Sequence, residues 1–339
     1  MSDPQTPDEV KAAAEQFRTD FAAVREQIGR AVVGHSDIID GVLLCLFTGG
    51  HALLEGVPGL GKTLLIRSLS QALHLEFNRI QFTPDLMPAD ITGTSIVDDT
   101  GQGKRFVFQP GPVFTQILLA DEINRATPKT QAALLEAMQE KRVTSAGETR
   151  DLPRPFFVMA TQNPIEQEGT YPLPEAQLDR FFFKLNLGYS TRDEMQEILK
   201  RTTSGTSPEI ESVLDAEGIV RHQRLVARVA IAEHVQDFAV RCVLATHPQG
   251  EFATPMVNRF VRVGASPRAA QALVLGAKCL ALVRGRAAAS IDDIKAIALP
   301  ALRHRVLLNF EGEAEGLDTD QVVSNIIETI PTQLAAASA

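Results

Sequence analysis

A glycine-rich loop constrains the fold of this chain more than any other feature of its sequence. Residues 56–63 read Gly-Val-Pro-Gly-Leu-Gly-Lys-Thr and fit the pattern G-x-x-x-x-G-K-[ST]. In this pattern glycines let backbone N–H groups converge on phosphates, the lysine reaches the β- and γ-oxygens, and the hydroxyl, here Thr63, is a ligand of Mg²⁺. The apolar run Ala52–Glu55 before the loop and the helical pattern of 64–73 after it give the order of strand, loop and helix that such a site requires. The predicted nucleotide contacts are Gly56, Val57, Pro58, Gly59, Leu60, Gly61, Lys62, Thr63 and Leu64.

A second apolar run ends in two adjacent carboxylates. The segment Ile117–Ala120 is a predicted strand, and Asp121 and Glu122 follow it. At the carboxyl end of a parallel strand, we expect Asp121 to be a Mg²⁺ ligand and Glu122 to polarise the water that attacks the γ-phosphate. Asn163 follows another predicted strand, Phe156–Ala160, and is placed to position that water if the two strands are neighbours. The alternatives are a solvated Asp-Glu turn and an Asn-Pro turn without a ligand.

The pattern of secondary structure divides the chain. Residues 32–190 alternate between strands and helices, as in a parallel sheet covered on both faces, and the strands lack in-out alternation, which is typical of strands buried on both sides. Residues 191–339 show helical patterns only, so the predicted class is α/β, with a parallel-sheet core and a second, smaller, all-helical domain. The predicted strands are Ala52–Glu55, Phe77–Gln81, Ile117–Ala120, Phe156–Ala160 and Phe181–Leu185. The predicted helices of the second domain are Arg192–Thr202, Gly218–Val229, His234–Thr246, Pro267–Gly285, Ile291–Ala298 and Thr319–Ile330. Polar segments at Thr202–Pro208 and Glu311–Gly316 are expected to be a loop and an exposed connection.

Residues 1–31 form a predicted amphipathic helix of their own. Phe17, Phe21, Val24 and Ile28 continue a stripe that begins at Val10, with helical spacing. We expect this stripe to pack on the body of the protein, and a partner-binding face is the alternative.

The net charge and the cysteines indicate which partners and which cellular compartment the chain has. A net charge of -9 argues against a broad hold on nucleic acid, which needs clustered Lys and Arg. The cysteines Cys45, Cys242 and Cys279 have no metal or disulfide spacing and are expected to be small core residues in a reducing cytoplasm. The first eight residues lack a secretory pattern, and no apolar run is long enough for a membrane span. We therefore expect a cytoplasmic chain with no membrane partner.

Ordered motifs indicate a family. After the P-loop come Ile-Leu-Leu-Ala-Asp-Glu-Ile-Asn-Arg-Ala at 117–126, Ala-Thr-Gln-Asn-Pro at 160–164, Pro-Glu-Ala-Gln-Leu-Asp-Arg-Phe at 174–181 and Gly-Ala-Ser-Pro-Arg at 264–268. In this order they resemble the MoxR family of AAA+ ATPases, over about residues 25 to 310.

The resemblance implies roles that spacing alone does not supply. Asn163 is similar to the sensor-1 residue, Arg180 to the arginine finger that reaches the γ-phosphate of a neighbouring subunit, and Arg268 to sensor 2. Val33 and Gly34 are placed like the segment that lies against adenine. Taken from the residues alone, a surface salt bridge is the favoured interpretation of Asp179-Arg180, and a helix stop explains residues 32–35 about as well.

Three further segments resemble family features. Thr83–Phe108, with β-like runs at Thr94–Val97 and Arg105–Phe108, resembles the helix-2 insert, and Arg142–Asp151 is predicted to be a hairpin before the sensor-1 strand. In related rings such projections line the pore or the top face; the alternative is solvated loops. Arg303-His304-Arg305 resembles the closing motif of the lid, where the side chains contact a neighbour or remain solvated.

The resemblance implies a Mg²⁺-dependent ATPase that binds ATP and ADP and assembles into a ring, expected to be a hexamer, which remodels or activates a partner protein. It implies a protein client and a co-operating protein with a von Willebrand factor A domain, in metal or cofactor insertion or in complex assembly. Two alternatives remain at this point: a nucleic-acid motor that shares the helix-2 insert, and a subunit like that of magnesium chelatase.

Overall fold

The computed structural model describes residues 6–99, 104–145, 147–164, 169–203 and 208–332. The first part of the chain alternates helices with strands. Its elements in order are α1 (Pro7–Ala31), α2 (Ser36–Thr48), β1 (Ala52–Glu55), α3 (Lys62–Ala72), β2 (Phe77–Gln81), α4 (Pro88–Thr92), β3 (Gly93–Asp99), β4 (Lys104–Pro110), β5 (Ile117–Asp121), a 3-10 turn at Ile123–Arg125, α5 (Pro128–Glu140), β6 (Arg142–Ser145), β7 (Glu148–Asp151), β8 (Phe157–Gln162), α6 (Glu175–Leu178) and β9 (Phe183–Asn186).

The predicted parallel sheet is confirmed. Its five strands lie in the order β2-β5-β8-β1-β9, and every pair is parallel. Because β8 lies between β5 and β1, the residues that follow these three strands meet at one edge. The last strand begins at Phe183 rather than at the predicted Phe181, because Phe181 and Phe182 form the turn after α6, where the Phe182 N–H donates to the His51 carbonyl at 2.8 Å.

The remainder of the chain is mainly helical, as predicted. Its elements are α7 (Arg192–Thr203), α8 (Ala216–Arg228), β10 (Ala230–Ile231), α9 (Glu233–Leu244), α10 (Pro255–Phe260), β11 (Val261–Val263), α11 (Pro267–Val283), β12 (Ala288–Ala289), α12 (Ile291–Leu302), β13 (Leu307–Leu308), α13 (Phe310–Ala314) and α14 (Thr319–Thr329).

Two expectations for this part need correction. The region is not purely helical, because β10 pairs with β12 and β11 with β13. The expected connection at Glu311–Gly316 is largely the helix α13, which the side chain of Asn309 caps by accepting from the Gly312 N–H at 3.0 Å. Of the expected polar loop, Thr202 and Thr203 belong to α7, and residues 204–207 lie outside the described residues.

The apolar stripe of α1 packs on the body of the protein, as expected. Phe17, Phe21, Val24 and Ile28 are buried, whereas Val10 is exposed. A single apolar cluster joins these residues to α2, to one face of the sheet, and to α8, α9, α11, α12 and α14. None of the described helices has the length and apolar character needed to cross a membrane.

Both predicted projections are antiparallel hairpins, β3–β4 and β6–β7. The Arg150 guanidinium of β7 lies 3.9 Å from the centre of the Phe108 ring of β4, so that the two hairpins contact each other. Phe106 of β4 is exposed. Residue 146 and residues 100–103, at the hairpin turns, lie outside the described residues.

Candidate nucleotide site

The glycine-rich loop joins β1 to α3, as its sequence predicts. Gly59 and Gly61 have φ values of 87° and 80°, which L side chains rarely adopt, and no atom lies within 4 Å of the position where either would carry a Cβ. Gly61 is the N-cap residue of α3 and has no side chain to cap it, so the first N–H groups of the helix are available to a ligand. An added Cβ at Gly56 would lie 2.9 Å from Leu187, which explains the glycine where β1 ends. Of the other loop residues, Leu64 is exposed and Leu60 and Thr63 are half-buried.

Lys62 is the buried cation of this loop. Its Nζ donates to the Gly56 carbonyl at 2.7 Å, which keeps the ammonium within the loop. Burial lowers the pKa of Lys62, and the negative charges of Asp121 and Glu122 act in the opposite direction. The lysine and the two carboxylates therefore share one electrostatic environment, although the sequence separates them widely.

Asp121 ends β5 as a buried carboxylate with two partners. The Thr161 hydroxyl donates to its Oδ1 at 2.6 Å, and the Arg79 guanidinium, from the neighbouring strand β2, donates to its Oδ2 at 2.7 Å. Sequence reasoning did not identify Arg79 or Thr161. For Arg79 the sequence did contain a signal, because this charged residue lies inside Phe77–Gln81, a strand predicted to be buried.

Glu122 adopts the left-handed conformation, with φ 56° and ψ 49°, which is uncommon for a residue with a side chain. Its N–H donates to the Thr161 hydroxyl at 2.9 Å, and its carboxylate accepts from Gln81 and Arg125, both at 2.8 Å. Backbone strain of this kind persists where surrounding contacts impose it. The Thr161 hydroxyl thus holds both acidic residues: it binds the side chain of Asp121 and the backbone N–H of Glu122.

Asn163 is buried directly after β8. The Gly56 N–H donates to the Gln162 carbonyl at 3.2 Å, which ties the start of the phosphate loop to the residue before Asn163. The role predicted for Asn163 requires its strand to neighbour the strand that ends at Asp121. This condition is met, because β8 pairs directly with β5.

Val33 and Gly34 lie in the short connection between α1 and α2. Gly34 has φ 72°, and an added Cβ there would lie 2.2 Å from Oε1 of Glu194, in α7. Two hydrogen bonds from Thr191 hold the pKa of Glu194 below its usual value, and the charge of His35 acts in the same direction. The expected adenine segment therefore contacts the first helix that follows the sheet.

Arg180 lies in a separate cavity of about 440 Å³. The lining residues are Ala132, Glu136, Glu140, Arg142, Thr144, Gln177 and Arg180, and none belongs to the phosphate loop. The Nε of Arg180 is buried without a hydrogen-bond partner. Within the described residues its guanidinium forms no ion pair, so the alternative of an Asp179–Arg180 salt bridge is wrong.

Asp179 is instead bound by residues from the C-terminal part of the chain. It accepts from the Ser266 hydroxyl at 2.7 Å and from Arg305 Nε at 2.8 Å, and Arg268 lies 3.7 Å away. Arg268 also donates to Gln139, at the end of α5, at 3.2 Å. Arg268 therefore lies on the same side of the protein as Arg180. The sequence left two alternatives for Arg305, contact with a neighbouring subunit or exposure to solvent; the structure instead buries it against Asp179 of the same chain.

The residues present fit a Mg²⁺-bound nucleoside triphosphate. The glycine loop leaves open space at Gly59 and Gly61, uncapped helix N–H groups attract phosphate, and Lys62 adds a cation. Among the described residues, no three His, Cys, Asp or Glu side chains are grouped to hold a metal by themselves. Mg²⁺ would then be bound by Thr63 and Asp121 together with phosphate oxygens, which is its usual mode.

Comparison with known proteins agrees with this geometry. Residues 51–183 match the family described as ATPase family associated with various cellular activities (AAA), and residues 254–326 match the AAA lid domain. The chain is 42% identical to chaperone MoxR1 of Mycobacterium tuberculosis, over 90% of this chain and 80% of that protein. It is 29% identical to protein MoxR of Methylorubrum extorquens, over 93% and 96% of the two chains. A crystal structure from Cytophaga hutchinsonii, of a protein assigned as an ATPase, superposes with a TM-score of 0.88 at 40% identity, over 94% of this chain and 97% of that one.

Proposed function

Because this chain belongs to the MoxR family of AAA+ ATPases, we propose that it couples Mg²⁺-dependent ATP hydrolysis in a ring of identical subunits to the remodelling or activation of a partner protein. The ring has six subunits, and the ATPase has a chaperone role. The partners are a protein client and a protein with a von Willebrand factor A domain.

Each group of the site has its own part in hydrolysis. Lys62 and the loop N–H groups would bind the phosphates, and Thr63 and Asp121 would hold Mg²⁺, which would supply positive charge beside the phosphate oxygens. Glu122 accepts hydrogen bonds from Gln81 and Arg125, and in the loaded site it accepts one from the attacking water. Asn163 orients that water. Arg79, which donates to the Asp121 carboxylate, would compete with a metal for that group.

The observation that carries the ring proposal is the position of Arg180. An arginine finger needs an unpaired guanidinium that lies away from the phosphate loop of its own subunit. Arg180 lines a cavity without loop residues, and its Nε has no acceptor among the described residues. A triphosphate from a neighbouring subunit supplies the missing anion, and Arg268, on the same side, serves that same neighbour.

The contacts of the projecting hairpins favour a protein client over a nucleic acid. A channel that tracks a nucleic-acid strand would need cations on the projecting segments, where the sequence places Lys104, Arg105, Lys141, Arg142 and Arg150. Arg142 is paired with Glu140 at 3.4 Å, and Arg150 is paired with Glu148 and stacked on Phe108. Paired cations release fewer counterions from DNA. By contrast, Phe106, Val97 and Ile96 of the other hairpin, β3–β4, are exposed apolar side chains that suit a polypeptide.

A capture experiment tests this proposal. Glu122→Gln protein loaded with ATP is mixed with a von Willebrand factor A protein from the same organism, and the complex is measured by size-exclusion chromatography with light scattering. We expect a ring that retains this partner with ATP and loses it with Lys62→Ala, which does not hold nucleotide. Single-stranded DNA that raised ATP turnover of the wild-type protein several-fold, without partner binding, would favour the nucleic-acid motor.

A further inference from the structure

A second cavity, of about 360 Å³, lies at the opposite edge of the sheet from the phosphate loop. Its walls come from the end of α2, the end of α5, the segment before β8, and α8. The lining residues are Gly49, Lys141, Arg154, Pro155, Phe156, Val220, Gln223, Arg224 and Ala227. Because Arg154–Phe156 precede β8 whereas Asn163 follows it, the cavity and the nucleotide site lie at the two ends of the same strand.

The charges of this cavity are all positive. Lys141, Arg154 and Arg224 line it together, and no Asp or Glu is among the lining residues. Across the described parts of the chain, none of these three cations forms an ion pair. A fourth cation, Lys278 of α11, donates to the carbonyl of the lining residue Ala227 at 2.9 Å. Such a group of unpaired cations is unusual in a protein with a net charge of -9.

The arrangement carries an electrostatic cost. Burial lowers the pKa of Lys141, and the positive charge of Arg154 lowers it further. Lys141 also has the left-handed conformation, with φ 53°, at the end of α5. Lys141, Arg154 and Arg224 are all exposed, so solvent screens part of their mutual repulsion, but like charges held together still oppose the stability of the fold. An anion placed among them would replace repulsion by attraction.

We propose that this cavity binds the phosphate group of a small organic phosphate ester. Two guanidinium groups and an ammonium match phosphate oxygens, because arginine donates two parallel hydrogen bonds to such an anion. The apolar side chains of Pro155, Phe156 and Val220 provide a surface for the organic part of the ligand. The volume is that of a site for a small molecule rather than for a folded segment of a partner.

Such a ligand would connect two parts of the structure. Lys141 and Arg154 belong to the region around the sheet, whereas Arg224 belongs to α8, in the helical part of the chain. Without an anion, Lys141 and Arg154 repel each other on one side of the cavity. With a phosphate bound to all three, α8 is held against the start of β8, the strand whose other end precedes Asn163. Occupancy therefore stabilises the folded protein through binding to the native state alone.

Calorimetric titration of phenyl phosphate tests the proposal. The protein is first saturated with ADP and Mg²⁺, so that the phosphate loop is filled. The double variant Arg154→Gln, Arg224→Gln removes two of the cations, and Arg221→Gln removes an exposed cation on the same helix that does not line the cavity. We expect wild type and Arg221→Gln to bind equally, and the double variant to bind at least about tenfold more weakly, since each lost bond is charge-assisted.

Thermal unfolding adds a measurement that separates a binding site from a structural cluster. Phenyl phosphate should raise the Tm of wild type but not of the double variant, and without ligand the double variant should melt at or above the wild-type temperature. If the double variant does not fold, Lys141→Gln replaces it. Equal affinity in wild type and variant, or no binding to wild type, would overturn the proposal. Binding of a single-stranded oligonucleotide in place of phenyl phosphate would reject the small-molecule assignment.

Discussion

Arg305 donates a hydrogen bond of 2.8 Å from its Nε to the carboxylate of Asp179, 126 residues earlier in the chain. The same guanidinium donates to the carbonyls of Phe181 and Phe182 at 2.6 and 3.2 Å. Arg305 is buried, so these contacts are shielded from water. The residue before Arg180 is therefore fixed by the C-terminal part of the chain.

Arg305→Ala should destabilise the protein and impair hydrolysis. The substitution leaves Asp179 without its main cation and removes one donor from each of the Phe181 and Phe182 carbonyls; breaking a buried pair in this way costs about 3–5 kcal/mol. Urea unfolding measures the loss. The matched control is Arg262→Ala. It removes an exposed ion pair with Glu175, whose N–O distance is 3.1 Å, and should cost less than about 1 kcal/mol. Equal losses in the two variants would exclude a special role of Arg305.

Lys62→Ala and Glu122→Gln should separate nucleotide binding from hydrolysis. Loss of the Lys62 ammonium removes the cation of the phosphate loop, so ATP binding should fall strongly. Glu122→Gln should bind ATP and barely hydrolyse it, because this carboxylate acts on water. Binding of a fluorescent ATP analogue and steady-state phosphate release distinguish the two effects. A Glu122→Gln protein that loses binding to the same extent as Lys62→Ala contradicts the assigned role.

Arg180→Ala should keep the nucleotide affinity of each subunit while hydrolysis falls by about 10³-fold, the scale of an arginine finger. The decisive measurement is phosphate release after mixing with Lys62→Ala subunits, which keep Arg180 but lack a functional loop. Mixed rings should regain part of the activity, because an intact finger then faces an intact loop. If mixed rings assemble and stay inactive, Arg180 has a structural role or another arginine is the finger.

Arg79→Ala should make Mg²⁺ easier to bind. Arg79 now donates to one oxygen of Asp121, so a metal at that carboxylate competes with it. For a pair with a half-exposed arginine the gain is about 1 kcal/mol at most, or up to about fivefold in the Mg²⁺ concentration that half-saturates ATP hydrolysis. Arg259→Ala, which removes exposed pairs remote from the sheet, is the control and should leave that concentration unchanged. A higher Mg²⁺ requirement in Arg79→Ala would show that Arg79 supports the metal site instead.

His51 should make the free energy of unfolding depend on pH. Burial lowers the pKa of His51 to about 4, and its ring accepts the Val158 N–H at Nδ1 at 3.0 Å while Nε2 faces the Met138 carbonyl. The folded state therefore keeps this ring neutral between pH 6.5 and about 4, where the unfolded chain binds a proton. Stability is full above pH 6.5 and falls with decreasing pH by up to about 1.4 kcal/mol per pH unit from this residue.

Denaturant unfolding at several pH values measures this contribution. His51→Gln should be less stable than wild type at pH 7.5 because the buried hydrogen bonds change, but its stability should fall less steeply below pH 6.5. A slope identical to that of wild type would assign the acid sensitivity to other groups, such as the buried His304, whose pKa is also lowered by burial.

The sequence was sufficient for the elements whose signal is local. The phosphate loop, the buried strands and the carboxylates after β5 follow from residues adjacent in the chain. Contacts to Asp121 and Glu122 from Arg79 and Gln81 span 42 and 41 residues and depend on β2 lying beside β5. The same holds for Arg305, whose partners only the tertiary fold brings near. The strands β10 and β12 contain two residues each, too few for any hydrophobic period to be recognised.

The apolar cluster that joins the sheet to the C-terminal helices has a consequence for how this chain evolves. Gly276 of α11 leaves room for Ile297 of α12, and an added Cβ there would also lie 3.2 Å from the Phe183 ring of β9. Residues of the sheet and residues of the C-terminal helices thus pack into one interior. Genetic recombination that exchanged the C-terminal segment alone would join surfaces that had not adapted to each other. A substitution on one side of this interior therefore favours compensating substitutions on the other.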